Sequence, residues 1–235
     1  MVAKREEWLS IEDFLALDRE SLDQKYEYRN GHMVAMVGGS THHGILIANT
    51  HTLLVQAGVS AFQIDPLSVK SLATWNSVRF CVRLYLGQHL KGKPCFAFVE
   101  MTLKLEDSCF IPDLMVTCNE QDLTDNKTYI EYPSLVIEVL SPSTESDDRG
   151  EKFFQYINSP TIQEYVLINY KVKLLQMYTK KGLEWVYSDS KDTGTIELQT
   201  IGLTVPIEEV YDRIALPLPK SFIEYRKRDT SKERQ

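Results

Sequence analysis

Three residue types at telling positions, Asp113, Glu138 and Lys152, set the first question of this sequence. Pro112-Asp113 opens the apolar, strand-like run from Ile111 to Thr117, so a carboxylate stands at a strand's start. Glu138 interrupts Ser134 to Leu140, a run otherwise nearly continuous in aliphatic residues. Burying an unpaired carboxylate is costly, so Glu138 calls for a cation, a hydrogen-bond network or an outlet at a cleft. Lys152 follows on a helix, after the short Ser-Pro-Ser-Thr turn at 141–144. If Asp113 and Glu138 lie on adjacent strands, their carboxylates converge on one hard cation, and magnesium commonly uses one or two carboxylates together with substrate phosphate. A lysine beside them could orient or deprotonate an attacking water and steady the charge of a phosphoryl transition state. Plainer readings stand beside these. Pro-Asp is a common turn pair, and Lys152 has Asp148 one helical turn earlier as a surface partner. Glu138 is harder to explain away, because apolar residues flank it on both sides.

The elements that must position these groups read as one α/β domain. Ser10 followed three residues later by Asp13 signals a helix start. Lys25 to Val37 reads as a β-hairpin around the turn pair Asn30-Gly31. From Thr41 to about Ala57 the apolar residues Ile45, Ile47, Ala48, Leu53 and Leu54 suggest a helix half-buried against a sheet. Short strands are expected at Cys95 to Val99, Met101 to Leu105 and Ile111 to Thr117. The Ser134 to Leu140 run fits a central strand covered on both faces. Ser146-Asp-Asp is expected to open the next helix, which Asn158-Ser-Pro160 ends. Further strands follow at Glu164 to Asn169, Lys173 to Tyr178 and Leu183 to Tyr187, and residues 220–235 form a basic, polar tail. There is no internal repeat and no low-complexity linker.

Charge narrows the function classes. A net charge of −7 argues against a protein that coats nucleic acid without specificity. Its distribution is uneven: acids dominate from Glu100 to Glu151, whereas Lys70, Arg79, Arg83, Lys91 and Lys93 meet a single acid, Asp65, between 61 and 95. An acidic centre with basic flanks suits a hydrolase that holds a divalent cation and still approaches phosphate. Ordinary solvated charge would look the same. The cysteines Cys81, Cys95, Cys109 and Cys118 contain no C-x-x-C pair and are expected to be buried free thiols. Neither a Cys/His zinc pattern nor an apolar run long enough for a bilayer is present. With no apolar signal core behind Lys4-Arg5, the expected location is the cytoplasm.

Several segments together resemble a known family. Ile111-Pro-Asp-Leu-Met-Val, Pro133 through Thr144, Asp148-Arg-Gly-Glu-Lys-Phe and Gln163-Glu-Tyr-Val-Leu-Ile look like the bacterial Uma-two family, assigned to the PD-(D/E)XK nuclease superfamily. Tyr26-Glu-Tyr-Arg-Asn-Gly and Gly39-Ser-Thr-His-His fit its pattern as well. The resemblance implies a restriction-endonuclease-like core, a central mixed β-sheet flanked by helices, preceded by an N-terminal helix and hairpin, over 1–219. It implies a magnesium or manganese cofactor held by Asp113 and Glu138, with the Val139 carbonyl as a third ligand. Where the superfamily usually places its lysine, two residues after the glutamate, this chain has Leu140. Lys152 from the following helix is the expected substitute, with Glu27 and His43 as secondary site residues; capping or padding of the first long helix is the plainer reading of His43. The stretch 59–84 departs from the family pattern and is expected to lie outside the main core, with Lys70, Arg79 and Arg83 available to face DNA. The implied activity is hydrolysis of phosphodiester bonds in DNA by an endonuclease, with no membrane partner and a homodimer left open. Two alternatives stay on the table: an inactive relative serving as a nucleic-acid or protein interaction module, and a metal-dependent hydrolase acting on RNA.

Overall fold

The structure is a computed structural model and describes residues 8–21, 24–36, 40–56, 60–61, 95–124 and 127–216. Helix α1 (Ile11–Glu20) starts where Ser10 indicates, its hydroxyl oxygen accepting the Asp13 amide at 3.1 Å. That bond satisfies one of the orphan donors of the first turn. Strands β1 (Tyr26–Arg29) and β2 (His32–Ala35) form the expected hairpin. Between them Asn30 and Gly31 take φ of 47° and 86°, the left-handed turn that matches strand twist. Helix α2 (Thr41–Gln56) follows Ser40, whose hydroxyl oxygen accepts the His43 amide at 3.3 Å.

The remaining strands are β3 (Ser60–Ala61), β4 (Phe96–Val99), β5 (Thr102–Lys104), β6 (Ser108–Phe110), β7 (Leu114–Thr117), β8 (Tyr129–Ile130) and β9 (Pro133–Val139). After them come α3 (Glu145–Asp148), α4 (Glu151–Asn158), β10 (Glu164–Ile168), β11 (Leu174–Lys181), β12 (Glu184–Lys191), β13 (Thr195–Leu198), β14 (Leu203–Pro206) and α5 (Ile207–Val210). A seven-stranded mixed sheet runs β12-β11-β10-β9-β7-β4-β3, and a five-stranded sheet runs β2-β1-β6-β5-β8. The central mixed sheet, its flanking helices, and the N-terminal helix and hairpin are the architecture expected from the sequence.

The two sheets are joined by one bent ribbon. β4 pairs with β7 in the large sheet, and their continuations β5 and β6 pair with each other in the small one. On the first arm the bend falls at Glu100, a non-glycine residue at φ 48°, whose amide donates to the Asp113 carbonyl at 3.2 Å. On the second arm it falls at Ile111-Pro112-Asp113, where proline has no amide to give a ladder. The strand proper therefore begins at Leu114, and Asp113 sits at the junction of the sheets.

β9 is central and covered on both faces. Leu135, Ile137 and Val139 pack with Leu46, Ile47, Leu53 and Leu54 of α2, while Val136 and Leu140 pack with Tyr156 of α4. Each fully buried aliphatic side chain contributes roughly 1.5–3 kcal/mol, so both helices are held firmly on the strand. The alternation of a strand puts Glu138 on the α4 face. The helix expected to open at Ser146 is in fact two pieces. Thr144 takes the cap position of α3, and Gly150, at φ −113° and ψ −101°, breaks the path before α4. Tyr165 anchors the break, its hydroxyl donating to the Asp148 carbonyl at 2.9 Å.

Two further expectations change. Cys95 and Cys118 are joined by a disulfide, their Cα atoms 4.0 Å apart, so they are not free thiols. The antiparallel register that pairs Phe96 with Thr117 sets them directly opposite each other, a relation that cysteine spacing in the sequence does not reveal. Cys109 is a buried free thiol, pushed by its burial up to about 12, and Cys81 lies outside the described residues. Of the 59–84 stretch, Ser60–Ala61 pairs in parallel with β4 at the edge of the large sheet, so its start belongs to the sheet. Residues 62–84, with Lys70, Arg79 and Arg83, and the 220–235 tail lie outside the described residues. Among the described residues no helix is long and apolar enough to cross a membrane.

Gly150 gives this architecture a test. A Cβ there would lie 2.7 Å from the Ser146 carbonyl oxygen. Gly150→Ala is expected to destabilise the fold by about 1–3 kcal/mol, seen as a lower urea midpoint. An unchanged midpoint would show that the α3–α4 break is not a close-packed requirement.

Candidate active site

Four elements bring their side chains to the carboxyl end of β9. Glu138 comes from β9, Asp113 from the bend of the ribbon, Glu27 from β1 of the small sheet, and Asp148 and Lys152 from the α3–α4 pair. Each carboxylate of the central pair is caught by the other strand's main chain. Glu138 Oε2 accepts the Asp113 amide at 3.2 Å, and Asp113 Oδ2 accepts the Val139 amide at 2.6 Å. These bonds fix both acids on rigid backbone.

Lys152 is only 4% exposed, and its ammonium sits within an acidic cage. Nζ lies 3.0 Å from Glu27 Oε1, 3.2 Å from Glu138 Oε1 and 3.5 Å from Asp148 Oδ1. Tyr156, one turn along α4, donates its hydroxyl to Glu138 Oε1 at 3.1 Å. Glu27 also accepts the Ile111 amide at 3.2 Å and pairs with Arg29, which reaches on to Asp147 and Glu151. From the opposite face of the sheet, His43 Nε2 meets Asp113 Oδ2 at 3.2 Å.

Burial and charge pull against each other throughout. Desolvation holds the Glu138 carboxyl well above the usual carboxylate range; Lys152 opposes this, while Asp148, Asp113 and Glu27 reinforce it. Burial also lifts Asp148 to about 6, against the pull of Lys152 and of a hydrogen bond to Thr144. For Lys152, burial acts to lower the pKa, but Glu138, Glu27, Asp148 and Asp113 more than reverse it, so the amine is held as a cation. His43 behaves alike: burial lowers it, and the Asp113 bond and charge, with Glu100 and Val139, leave it raised.

The donors suit a hard divalent cation. The carboxylates of Asp113 and Glu138 and the Val139 carbonyl are the oxygen donors that magnesium and manganese accept. Asp148 Oδ1 is buried and accepts no hydrogen bond, so the cage holds more acceptor capacity than the chain's own donors fill. Among the described residues no three His, Cys, Asp or Glu side chains already converge as a complete metal cage. An ion here would keep part of its water shell, as magnesium usually does.

Comparison with known proteins gives this arrangement its relatives. The Uma2 family, described as "Putative restriction endonuclease", matches residues 76–208. The chain belongs to the Uma2 family. The Synechocystis sp. protein slr1290 is 30% identical over 212 residues, covering 88% of this chain and 93% of that protein. A second Synechocystis protein, sll1609, is 27% identical over 192 residues, covering 80% of this chain and 91% of its own length. A crystal structure of a "putative nuclease belonging to DUF820" from Anabaena variabilis superposes with a TM-score of 0.59 at 14% identity, over 86% of this chain and 97% of that one. The fold of this Uma2 member is thus restriction-endonuclease-like.

Five residues singled out from the sequence, Asp113, Glu138, Lys152, Glu27 and His43, meet around the end of β9, together with the Val139 backbone. Both readings of Lys152 carry weight: it reaches the acidic pair, and its partnership with Asp148 exists but is buried rather than on the surface. Asp148, Tyr156 and Arg29 were not singled out as site residues. A helical signal was available for two of them, since Asp148 and Tyr156 stand four residues on either side of Lys152 and so share its face. Arg29 shares a strand face with Glu27, but nothing in the sequence shows that face turning toward the acids of α3 and α4.

Asp148 supplies a pH test. Its folded pKa of about 6 lies above that of an unfolded aspartate, near 3.9. Protonated Asp148 therefore favours the fold. Its contribution is fullest below about pH 4 and is lost as pH rises through about 6, on the order of 2–3 kcal/mol. Asp148→Asn, free of this titration, is expected to gain on wild type between pH 4.5 and 7.5 in urea titrations with chelator present. A difference between the two that does not change with pH would contradict the assignment.

Proposed function

We propose that this Uma2 member is a divalent-metal-dependent endonuclease that hydrolyses phosphodiester bonds in DNA. One observation carries the reading: Lys152, supplied by a helix, stands 3.2 Å from Glu138, while Glu138 and Asp113 are tied to each other's strands. An acid pair and a lysine are so assembled although Leu140 occupies the usual lysine position. Membership of a family of restriction-endonuclease character and likeness to a nuclease structure support a nucleic-acid substrate, and restriction chemistry favours DNA.

In this reading Asp113, Glu138 and the Val139 carbonyl would hold a magnesium or manganese ion, which when bound would supply charge neutralisation at the phosphate and lower the pKa of the attacking water. The chain's own groups do the rest. Lys152, kept cationic by its acids, offers positive charge to the developing phosphoryl oxygens and orients the attacking water through its N–H donors. Its raised pKa makes it an electrostatic group rather than a free base. Glu27 and Tyr156 hold Lys152 and Glu138 in register from two sides, and His43 steadies Asp113 from the α2 face.

Purified protein incubated with supercoiled plasmid and Mg²⁺ or Mn²⁺ is expected to nick or linearise it, and chelator should stop the reaction. Asp113→Ala and Glu138→Gln should abolish cleavage. Lys152→Ala should retain Mn²⁺ binding and lose rate by about 10²-fold or more, the scale of removing one transition-state donor. Intact plasmid with cleaved labelled RNA would transfer the activity to RNA. If neither is cut, and all three variants keep wild-type metal response and DNA affinity, the chain is an interaction module and not a nuclease.

A further inference from the structure

Glu138 is crowded in a way that bears on how a cation could reach it. Its Oε2 is taken by the Asp113 amide, and its Oε1 by both Lys152 and the Tyr156 hydroxyl. The Asp113 amide is fixed in the bend of the ribbon, and Tyr156 is fully buried among Phe110 and Tyr165. Lys152 is the partner with freedom to yield, since its ammonium rides on a flexible four-carbon stem with three rotatable donors. An acceptor stands ready for it. Asp148 lies one turn earlier on the α3–α4 path, its side chain is 2% exposed, and its Oδ1 is 3.5 Å from Nζ. That is ion-pair distance, but longer than a charge-assisted hydrogen bond, usually about 2.7–2.9 Å, and this same oxygen accepts no hydrogen bond. The long contact to a buried carboxylate oxygen leaves room for the ion pair to tighten once Lys152 leaves Glu138.

We propose that Asp148 is a positioning residue for Lys152: it receives the ammonium when Glu138 exchanges Lys152 for a divalent cation, so that the lysine stays in the site beside the substrate phosphate. The inference rests on the metal-site reading above. It makes the lysine a movable internal counter-ion with two stations, Glu138 and Asp148, with Glu27 Oε1, at 3.0 Å, steadying it at either one.

The test is a double-mutant cycle on Mn²⁺ affinity, read by electron paramagnetic resonance without substrate. Asp148→Asn is expected to weaken Mn²⁺ binding by about tenfold or more, the usual cost of losing a group that supports a metal site. In a Lys152→Met background, where no ammonium needs rehousing, the same change should have little effect. Equal losses in both backgrounds would mean that Asp148 acts only as nearby negative charge, and would overturn the proposal while leaving the metal site standing. Should Lys152→Met fail to fold, the lysine itself is followed by ¹³Cε NMR, its resonance assigned through Lys152→Arg. Mg²⁺ should then move that resonance in wild type to a position that Asp148→Asn does not reproduce, and the same position in both would refute the exchange. Wild type that binds no Mn²⁺ in an Asp113-dependent manner would bring down the metal-site reading and this proposal with it.

Discussion

A single ammonium, that of Lys152, holds the charge balance of the buried centre. Glu27, Glu138 and Asp148 all lie within 3.5 Å of it, and each is almost wholly excluded from solvent. Three acids so placed would repel one another and resist burial. Removing one member of a buried pair typically costs about 3–5 kcal/mol, because it strands the other charge. The cation is therefore a condition for bringing the small sheet, the large sheet and the α3–α4 pair together at one point. Glu27 brings β1, Glu138 brings β9, and Asp148 and Lys152 bring the helices.

The ribbon from β4 to β7 gives this meeting its geometry. A straight hairpin would lie wholly in one sheet. Here Glu100 adopts a positive φ and Pro112 withholds an amide, and the ribbon turns from one sheet into the other. Asp113 sits at the turn, free of regular side-by-side alternation, and can reach the Val139 amide while its own amide holds Glu138. His43 approaches from the opposite face of the sheet to Lys152, so the end of β9 is gripped from both sides. The Cys95–Cys118 disulfide ties the same two strands, β4 and β7, at the end away from Asp113.

Chemistry that depends on charge density has a cost in stability. Burial raises both Glu138 and Asp148, which shows that the fold does not solvate its acids comfortably. Elsewhere in the molecule buried acids are satisfied by main-chain amides. Asp122 accepts the Glu131 and Tyr132 amides, and Glu164 accepts those of Gln199 and Thr200. Glu27 and Glu138 take main-chain amides as well, and differ in also sharing one buried ammonium with Asp148.

From the sequence alone came the elements and the chemical cast. Periodicity marked α1, the hairpin, α2 and the central strand, because burying one face or both leaves a pattern in consecutive residues. Glu138 declared itself by interrupting such a pattern, and the resemblance around Asp113, Glu138 and Lys152 named the rest. Tertiary structure alone decided what depends on residues distant in the chain. The register of β4 against β7 set Cys95 opposite Cys118, and the bend lifted Asp113 out of the strand it seemed to open. Asp148 became a buried acid with an unfilled oxygen instead of a surface partner, because its helix lies over two sheets whose packing no local pattern records. Arg29 joined the site for the same reason: where a strand face points is fixed by what pairs with and packs on it, and those partners come from far along the chain.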